Sequence, residues 1–297
     1  MRWCRVTRTI FIIVAVVLAA GGLQARTWNV NPQGTGDAPT IQAAVDSAKS
    51  GDFIVLAAGT YFEENILVDG KNISISQSGK AILSAPVQGT GTGITLRNVS
   101  AAGSLTSLSF SGYHTGLSIE NSSVMVTFVT VKQCIEGVVV TFGTGAPTLL
   151  GGLADSCATG VDVRGANVTL QNWTIVFCTT GVRLTGGTTT VTRNIIFGCD
   201  IGADCAGAPG TFSCNDLFFN TTNYNGCSAG ATDFFTDPVF CFQKPPSPGL
   251  FWLHSSSPCL TRDNPCNLRI GAFTSGQGCT GTAIEETTWG AIKSLYR

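Results

Sequence analysis

The chain has 297 residues, of which 36 are glycine, and only 12% of its residues are charged. Average globular proteins have about 7% glycine and about 25% charged residues, so this composition excludes a helical bundle and a disordered chain and favours an all-β protein with many turns. The formal net charge of -1 gives no electrostatic case for binding nucleic acid.

Residues 1–25 have the pattern of a secretory signal peptide. Arg2, Arg5 and Arg8 form a basic start, Ile10–Ala20 is an apolar core, and small residues follow up to Ala25. We place cleavage after Ala25, with a site nearer the end of the apolar core as the alternative. An uncleaved membrane anchor also stays open, although the apolar run is shorter than the roughly 20 residues that span a bilayer. The pattern predicts export, with no stable membrane span after cleavage.

One helix is predicted, between Thr40 and Gly51. Apolar residues from Ile41 to Ala48 recur at i, i+3, i+4 and i+7, which places them on one face of a helix. Thr40 suits the N-cap and Gly51 suits the stop. Short β runs, separated by Asp-Gly and Ser-Gly turns, follow as far as Leu83.

A repeat with a period in the low twenties occupies the middle of the chain. Its glycines are separated by 21, 23, 21 and 21 residues, and each opens a short alternating run. A cysteine stands three residues before four of the glycines, and an apolar residue stands three residues before each cysteine. The glycines are Gly116, Gly137, Gly160, Gly181 and Gly202, the cysteines are Cys134, Cys157, Cys178 and Cys199, and the apolar residues are Val131, Ala154, Ile175 and Ile196.

This period predicts a parallel β-helix. One turn of three short strands and three bends takes roughly 20 to 25 residues, and no single turn can bury its inner face, so the turns must stack. Stacking places equivalent residues about 4.8 Å apart in columns. We expect the cysteine column and the apolar column to point inward. The glycines are expected at bends that need either a positive φ or a missing side chain.

Outward columns follow from the same register. The residue two positions after each glycine gives a column with alternating charges at its end, which is Ser118, Val139, Asp162, Arg183 and Asp204. A flat polar face is predicted from three neighbouring pairs, which are Thr169 with Thr190, Gln171 with Thr192 and Asn172 with Arg193.

The cysteines favour an oxidising compartment. The chain has 12 cysteines, and 11 remain once Cys4 is removed with the signal, so at least one thiol is unpaired. The inward column can stay as small buried thiols, or stacked neighbours can pair. The later cysteines lie in loop-rich sequence, and we predict a local disulfide between Cys259 and Cys266. No zinc site is predicted, because no Cys-x-x-Cys pair occurs and the only histidines are His114 and His254.

Several strings near the start carry a resemblance to a known family. They are Pro39-Thr-Ile-Gln-Ala-Ala-Val-Asp46, Gly51-Asp52, Ala58-Gly-Thr-Tyr61, Glu64-Asn65 and Lys71-Asn-Ile73. The chain resembles secreted bacterial right-handed parallel β-helix repeat proteins of the pectin-lyase-like superfamily. The resemblance implies a right-handed solenoid over residues 26–279, with a helical N-terminal cap at 26–52 and a cysteine-rich C-terminal cap at 212–279. The tail, 280–297, is expected to be a short helix resting on the solenoid, with a surface-attachment or export segment, or a stub of a further domain, as the alternatives.

The resemblance also implies one candidate catalytic set. Lyases of this superfamily hold calcium through aspartates and use an arginine or lysine as base, and Asp162, Arg183 and Asp204 are the residues here that match those types. Calcium is the only cofactor implied. The alternative interpretation is an ion-pair ladder on a solvated face, since charges of alternating sign neutralise one another. Glycoside hydrolases of this superfamily usually show Asn-Thr-Asp, Asp-Asp and Gly-His-Gly strings, and none occurs in this sequence.

A binding role fits the polar face. Gln171, Thr192 and an outward Trp173 are candidate carbohydrate contacts, because an indole ring can stack on a sugar. We therefore predict a secreted or cell-surface monomer that is not catalytic and that binds polysaccharide or another envelope component, or has an adhesive or structural role. A calcium-dependent polysaccharide lyase or a glycoside hydrolase is the alternative, because a fold alone does not determine a function.

Overall fold

Three parallel β-sheets run along the molecule and enclose one apolar core. The computed structural model describes residues 24–208, 210–241, 251–260 and 264–274. From the second strand onward, successive strands join sheets A, B and C in turn, so each coil contributes one strand to each sheet. This confirms the predicted all-β parallel β-helix with three short strands per turn. The tail at 280–297 and residues 1–23 of the predicted signal peptide lie outside the described residues.

The strands are short and are numbered in chain order. Sheet A contains β1 (Thr27–Val30), β2 (Phe53–Leu56), β5 (Ser74–Gln77), β8 (Ser104–Thr106), β11 (Met125–Thr127), β14 (Thr148–Leu150), β17 (Val168–Gln171), β20 (Thr189–Thr192) and β23 (Gly210–Ser213). Sheet B contains β3 (Gly59–Tyr61), β6 (Ala81–Ser84), β9 (Ser109–Ser111), β12 (Thr130–Lys132), β15 (Leu153–Asp155), β18 (Thr174–Val176), β21 (Ile195–Phe197) and β24 (Asp216–Phe218). Sheet C contains β4 (Ile66–Asp69), β7 (Thr90–Arg97), β10 (Tyr113–Glu120), β13 (Glu136–Thr141), β16 (Thr159–Arg164), β19 (Thr180–Leu184), β22 (Ile201–Asp204) and β25 (Thr222–Asn225).

The strand register follows the sequence period. In sheet B, Val131 pairs with Ala154, which pairs with Ile175, and Ile196 continues the column. All four are fully buried, as predicted. The four cysteines of the repeat, Cys134, Cys157, Cys178 and Cys199, are buried free thiols. The inner face of each coil is therefore covered by the coils on either side of it.

The repeat glycines lie inside the strands of sheet C and do not have a positive φ. A Cβ on Gly116 would come within 2.7 Å of the carbonyl oxygen of Gly137 in the next coil. Of the two predicted reasons for glycine, the missing side chain is therefore the one that applies. Left-handed residues instead form the corner between sheets A and B, at Ser107, Phe128, Gly151, Asn172, Arg193 and Cys214. They also form the corner between sheets B and C, at Gly112, Gln133, Ser156, Phe177, Gly198 and Phe219.

The predicted helix closes the first end of the solenoid. Helix α1 spans Ile41–Ser47, and the hydroxyl of its N-cap residue Thr40 accepts a hydrogen bond from the backbone N–H of Ala43 at 3.0 Å. The helix ends before the predicted stop at Gly51. It packs against β4, the edge strand of sheet C, so the edge is covered there. Within the described residues, no helix is long and apolar enough to cross a membrane.

The C-terminal region, where a cap is predicted at 212–279, begins with one more coil and continues with a segment that covers sheet B. Strands β23 to β25 still form a regular coil, with Phe212 paired to Val191 and Leu217 paired to Ile196. The chain that follows packs sideways on the outer face of sheet B, where Phe240, Phe251, Leu253 and Ile270 contact Val176, Ile195 and Phe197. The physical reason is that the later strands of sheet B are apolar on both faces and need a cover on each.

The predicted disulfide between Cys259 and Cys266 is wrong. Cys266 is bonded to Cys214 across 52 residues of sequence, and a second disulfide joins Cys205 to Cys227. Cys259 is a buried free thiol whose Sγ donates to Oδ2 of Asp216 at 3.1 Å. Packing against sheet B turns Cys259 towards the solenoid and brings Cys266 beside the corner at Cys214.

Candidate functional site

The predicted charge ladder is present on the outer face of sheet C. Asp162 pairs with Arg183, and Arg183 pairs with Asp204, in adjacent strands. The guanidinium nitrogens of Arg183 lie 3.9 Å from Oδ2 of Asp162 and 3.8 Å from Oδ2 of Asp204. The structure therefore brings together all three candidate catalytic residues, with the arginine between the two acids.

Asp162 is the buried member of the ladder. It is only 2% exposed although its side chain points outward, because the side chains around it cover it. Arg164, two residues on along the strand, donates to Oδ2 of Asp162 from Nε at 3.1 Å and from Nη2 at 2.8 Å, and it also bonds Glu136. Burial alone lowers the pKa of Arg164, but the hydrogen bonds and charges of Asp162 and Glu136 outweigh burial and raise it. Oδ1 of Asp162 is buried without a hydrogen-bond partner.

These residues do not fit a calcium ion. Calcium needs several oxygen ligands that converge on one point. Here the cation of Arg183 lies between the carboxylates of Asp162 and Asp204. Nowhere in the part of the chain that the structure describes do three His, Cys, Asp or Glu side chains form a group that could hold a metal. We therefore derive no step through calcium at this ladder.

The remaining charges of this face are also paired. Nε of Arg97 donates to Oε2 of Glu120 at 2.7 Å, and Nη1 of Arg97 lies 3.8 Å from Asp69. The hydrogen bond to Glu120 raises the pKa of Arg97. Exposed ion pairs of this kind contribute little to stability, because water and salt screen them. The outer face of sheet C is thus a set of arginines that are each held by acids.

The predicted sugar-stacking role of Trp173 is contradicted by the structure. Trp173 is fully buried and follows Asn172, which has a positive φ. A Cβ on Gly152 would collide with the indole, so that glycine makes room for the ring inside the solenoid. Asn172 is also buried, and its amide donates to the carbonyl oxygen of Arg269 at 2.9 Å. The predicted outward pair of Asn172 and Arg193 is therefore a structural corner.

Gln171 and Thr192 lie where they were predicted, side by side on the outer face of sheet A. Hydroxyl groups on this face pair along the solenoid: Thr127 donates to Thr106 at 3.0 Å, and Ser213 donates to Thr192 at 3.1 Å. One column of outward residues runs through Phe53, Ser74, Ser104, Met125, Thr148, Thr169, Thr190 and Thr211. The other runs through Thr106, Thr127, Leu150, Gln171, Thr192 and Ser213.

The face of sheet A is uncharged over most of its length. Strands β5 to β23 of this sheet contain no Asp, Glu, Lys or Arg. Gln171 and Thr192 thus belong to a continuous surface of hydroxyl, amide and a few apolar groups.

Three exposed apolar residues beside this surface were missed from the sequence. Met125 lies in the first outward column, Phe128 at the corner where the chain leaves sheet A, and Phe142 on the turn that enters it. All three are exposed. The available signal was an apolar residue at repeat positions where other coils have Ser, Thr or Asn.

Comparison with known proteins supports the fold and no more. No known protein family matches the sequence, and no curated protein matches it. A crystal structure of pectate lyase Pel9A is similar in structure, with a TM-score of 0.50 and 16% sequence identity, covering 86% of this chain and 98% of that one. At that identity the likeness shows the parallel β-helix fold of pectate lyases and leaves the activity open. The disulfides Cys205–Cys227 and Cys214–Cys266 are consistent with an extracellular protein.

Proposed function

We propose that this protein is a non-catalytic β-helix, secreted or held at the cell surface, that binds polysaccharide along the outer face of sheet A. The observation that carries the proposal is the uncharged face itself, where Gln171 and Thr192 lie in columns of half-buried Ser and Thr residues. Hydroxyl and amide groups can both donate to and accept from sugar hydroxyls. Equivalent groups recur about every 4.8 Å along the solenoid, so the face offers many such groups close together.

A purely structural or adhesive role competes with this proposal. The same Ser and Thr columns would also keep a solenoid soluble, and a monomer of either kind would have the same fold. The two roles differ in one measurable property, which is affinity for isolated glycans.

A lyase is less well supported by the geometry. Its base must lose a proton near neutral pH, whereas acidic neighbours raise the pKa of Arg164 and of Arg97. Arg183, the remaining arginine of that face, lies between two carboxylates. We expect no unsaturated product from acidic polysaccharides, with or without calcium. A calcium-dependent release that Arg183→Ala abolishes would replace the binding proposal with the catalytic one.

A glycan array with the purified protein tests binding. The double variant Gln171→Ala/Thr192→Ala is expected to lose most of the signal, because it removes an amide and a hydroxyl from the centre of the face. The matched control is Thr141→Ala, a half-buried outward threonine of sheet C, which is expected to keep it. Wild-type protein that binds no glycan would contradict the proposal and leave the structural role.

A further inference from the structure

We propose that a neutral polysaccharide of equatorially linked pyranoses crosses sheet A at β11 and β14 and stacks on the rings of Phe128 and Phe142. This inference rests on the proposed function and names the substrate class and the residues that would hold it. It comes from three features of this part of sheet A: the exposed rings of Phe128 and Phe142 at its two edges, the apolar side chains of Met125 and Leu150 between them, and strands β11 and β14, which contain no charged residue.

Phe128 is an aromatic platform at the corner where the chain leaves sheet A. Its backbone is left-handed, with a φ of 55°, and its ring is 56% exposed. A Cβ on Gly151, the equivalent corner residue of the next coil, would lie 2.9 Å from ring atoms of Phe128. The ring therefore occupies the space that a side chain at Gly151 would fill. It is held against the backbone on one side and open to solvent on another, which is what stacking on a sugar requires.

Phe142 repeats this arrangement on the opposite edge of sheet A. It lies on the turn from sheet C into sheet A and is 73% exposed. A Cβ on Gly165 in the next coil would collide with the ring, so Phe142 also lies over a glycine. Single exposed apolar residues are common, but a group of them on one face marks a candidate binding surface, and Phe142 forms such a group with Met125 and Phe128.

The surface between the two rings is mixed in character. Met125 is 50% exposed, and Leu150 lies beside Thr127 in the neighbouring column. In the coil of Gly165, the corner at Asn172 lies seven residues further along the chain, so the two edges of sheet A are at most roughly 23 Å apart at about 3.3 Å per residue. A chain of several pyranoses can bridge that span. Pyranoses with equatorial substituents have apolar C–H faces for the rings and hydroxyl edges for the threonines.

The absence of charged side chains from the strands of sheet A indicates which class of polysaccharide this face fits. The strands of sheet A from β5 to β23 carry no ionic side chain, so this face offers no cation to a uronate. The arginines of sheet C are held by acids. The face therefore fits a neutral chain, of the kind found in β-linked glucans or chitin, better than an acidic one.

Calorimetric titration of the purified full chain tests this assignment. Two neutral probes, cellohexaose and chitohexaose, distinguish a β-linked glucan from chitin as the ligand. Oligogalacturonate is the acidic probe. Phe128→Ala and Phe142→Ala are each expected to weaken binding of the neutral hexasaccharide by about tenfold, or about 1.4 kcal/mol, because each removes a ring on which a sugar would stack. Phe128→Tyr keeps the ring and is expected to keep the affinity. The matched control is Phe62→Ala, since Phe62 is 69% exposed but follows β3 in sheet B.

The remaining outcomes are distinct. If both alanine variants bind like the wild type while Gln171→Ala/Thr192→Ala does not bind, the proposed stacking on Phe128 and Phe142 is wrong. The proposed function stands in that case. Loss in only one of the two phenylalanine variants overturns the crossing geometry, and tighter binding of oligogalacturonate overturns the neutral class. Self-association that Phe128→Ala abolishes would assign this surface to a second copy of the chain. No binding of any glycan would contradict the proposed function itself. Circular dichroism on each variant confirms that the solenoid is intact.

Discussion

The side chain of Gln42 completes the edge of sheet C by pairing with both backbone groups of Leu67. The N–H of Leu67 donates to Oε1 of Gln42 at 2.7 Å, and Nε2 of Gln42 donates to the carbonyl oxygen of Leu67 at 3.3 Å. Leu67 belongs to β4, and no strand among the described residues pairs with the other side of β4. One amide from α1 thus replaces the hydrogen bonds of the missing strand. An unpaired edge is a template for aggregation, so this contact protects the first end of the solenoid.

Replacing Gln42 tests this contact. Gln42→Ala keeps the helix but leaves both groups of Leu67 without their partners, and we expect the free energy of unfolding to fall by about 1–2 kcal/mol. Denaturant unfolding measures the change, and light scattering measures any gain in self-association. Gln88→Ala, at an exposed glutamine, is the control. Equal unfolding free energies of the two variants would contradict this expectation. They would show that water satisfies the backbone groups of Leu67 as well as the Gln42 amide does.

We expect the two acids of the ladder on sheet C to contribute different amounts to the free energy of unfolding. Asp162 is buried and accepts two hydrogen bonds from Arg164, whereas Asp204 lies 3.8 Å from Arg183 and is more exposed. We expect Asp162→Ala to cost about 2–3 kcal/mol, because it leaves part of a buried charge network unpaired. Asp204→Ala is expected to cost under about 1 kcal/mol. Thermal unfolding of both variants checks this order, and a reversed order would contradict the ion-pair interpretation of the ladder.

The repeat period was enough to predict much of the fold. Strand register in a parallel solenoid repeats once per coil, so the spacing of Gly160 and Gly181 also predicted the neighbours Asp162 and Arg183. The direction of Trp173 could not be predicted in this way. Counting alternate residues from Gln171 makes Trp173 point outward, but the left-handed backbone of Asn172 shifts the alternation by one and turns the indole inward.

The C-terminal cover on sheet B could not be predicted from the repeat period either. Cys259 and Cys266 are neighbours in sequence, but the pairing depends on where the segment lies on sheet B, and that segment has no repeat. A signal was present in β21, where Ile195, Ile196 and Phe197 are all apolar. A strand that is apolar on both faces needs a second cover, so this run pointed to a segment packed on the outside of sheet B.

The state of the cysteines can be checked directly. Contact with the Cys157 thiol and burial raise the pKa of the Cys134 thiol, and burial raises that of Cys259, so both stay protonated and unreactive in the folded protein. Among the described residues, we expect Cys134, Cys157, Cys178, Cys199 and Cys259 to resist a thiol reagent in the native state and to react after unfolding. Peptide mapping without reduction is expected to recover Cys214 joined to Cys266. A Cys259–Cys266 peptide would contradict the packing of the cover.

Asp216 is expected to make stability fall as the pH rises towards neutrality. It is fully buried under the C-terminal cover, where it accepts hydrogen bonds from the backbone of Thr236 at 3.1 Å and from the thiol of Cys259. Burial raises its pKa from 3.8 to about 7, and the nearby carboxylate of Asp237 adds to the effect. The folded state therefore holds its proton more tightly than the unfolded state does. The stability from this group is fully present below pH 3.8 and is lost as the pH rises through about 7.

The size of the loss is roughly 4 kcal/mol, at about 1.4 kcal/mol for each unit of pKa difference. Asp216→Asn removes the titration, so its unfolding free energy is expected to change less between pH 4 and pH 8 than that of the wild type. Glu64→Gln, at an exposed carboxylate, controls for the loss of one acid and is expected to keep the wild-type slope. Denaturant unfolding at a series of pH values measures all three proteins. A wild-type slope that survives in Asp216→Asn would show that other groups control the pH dependence.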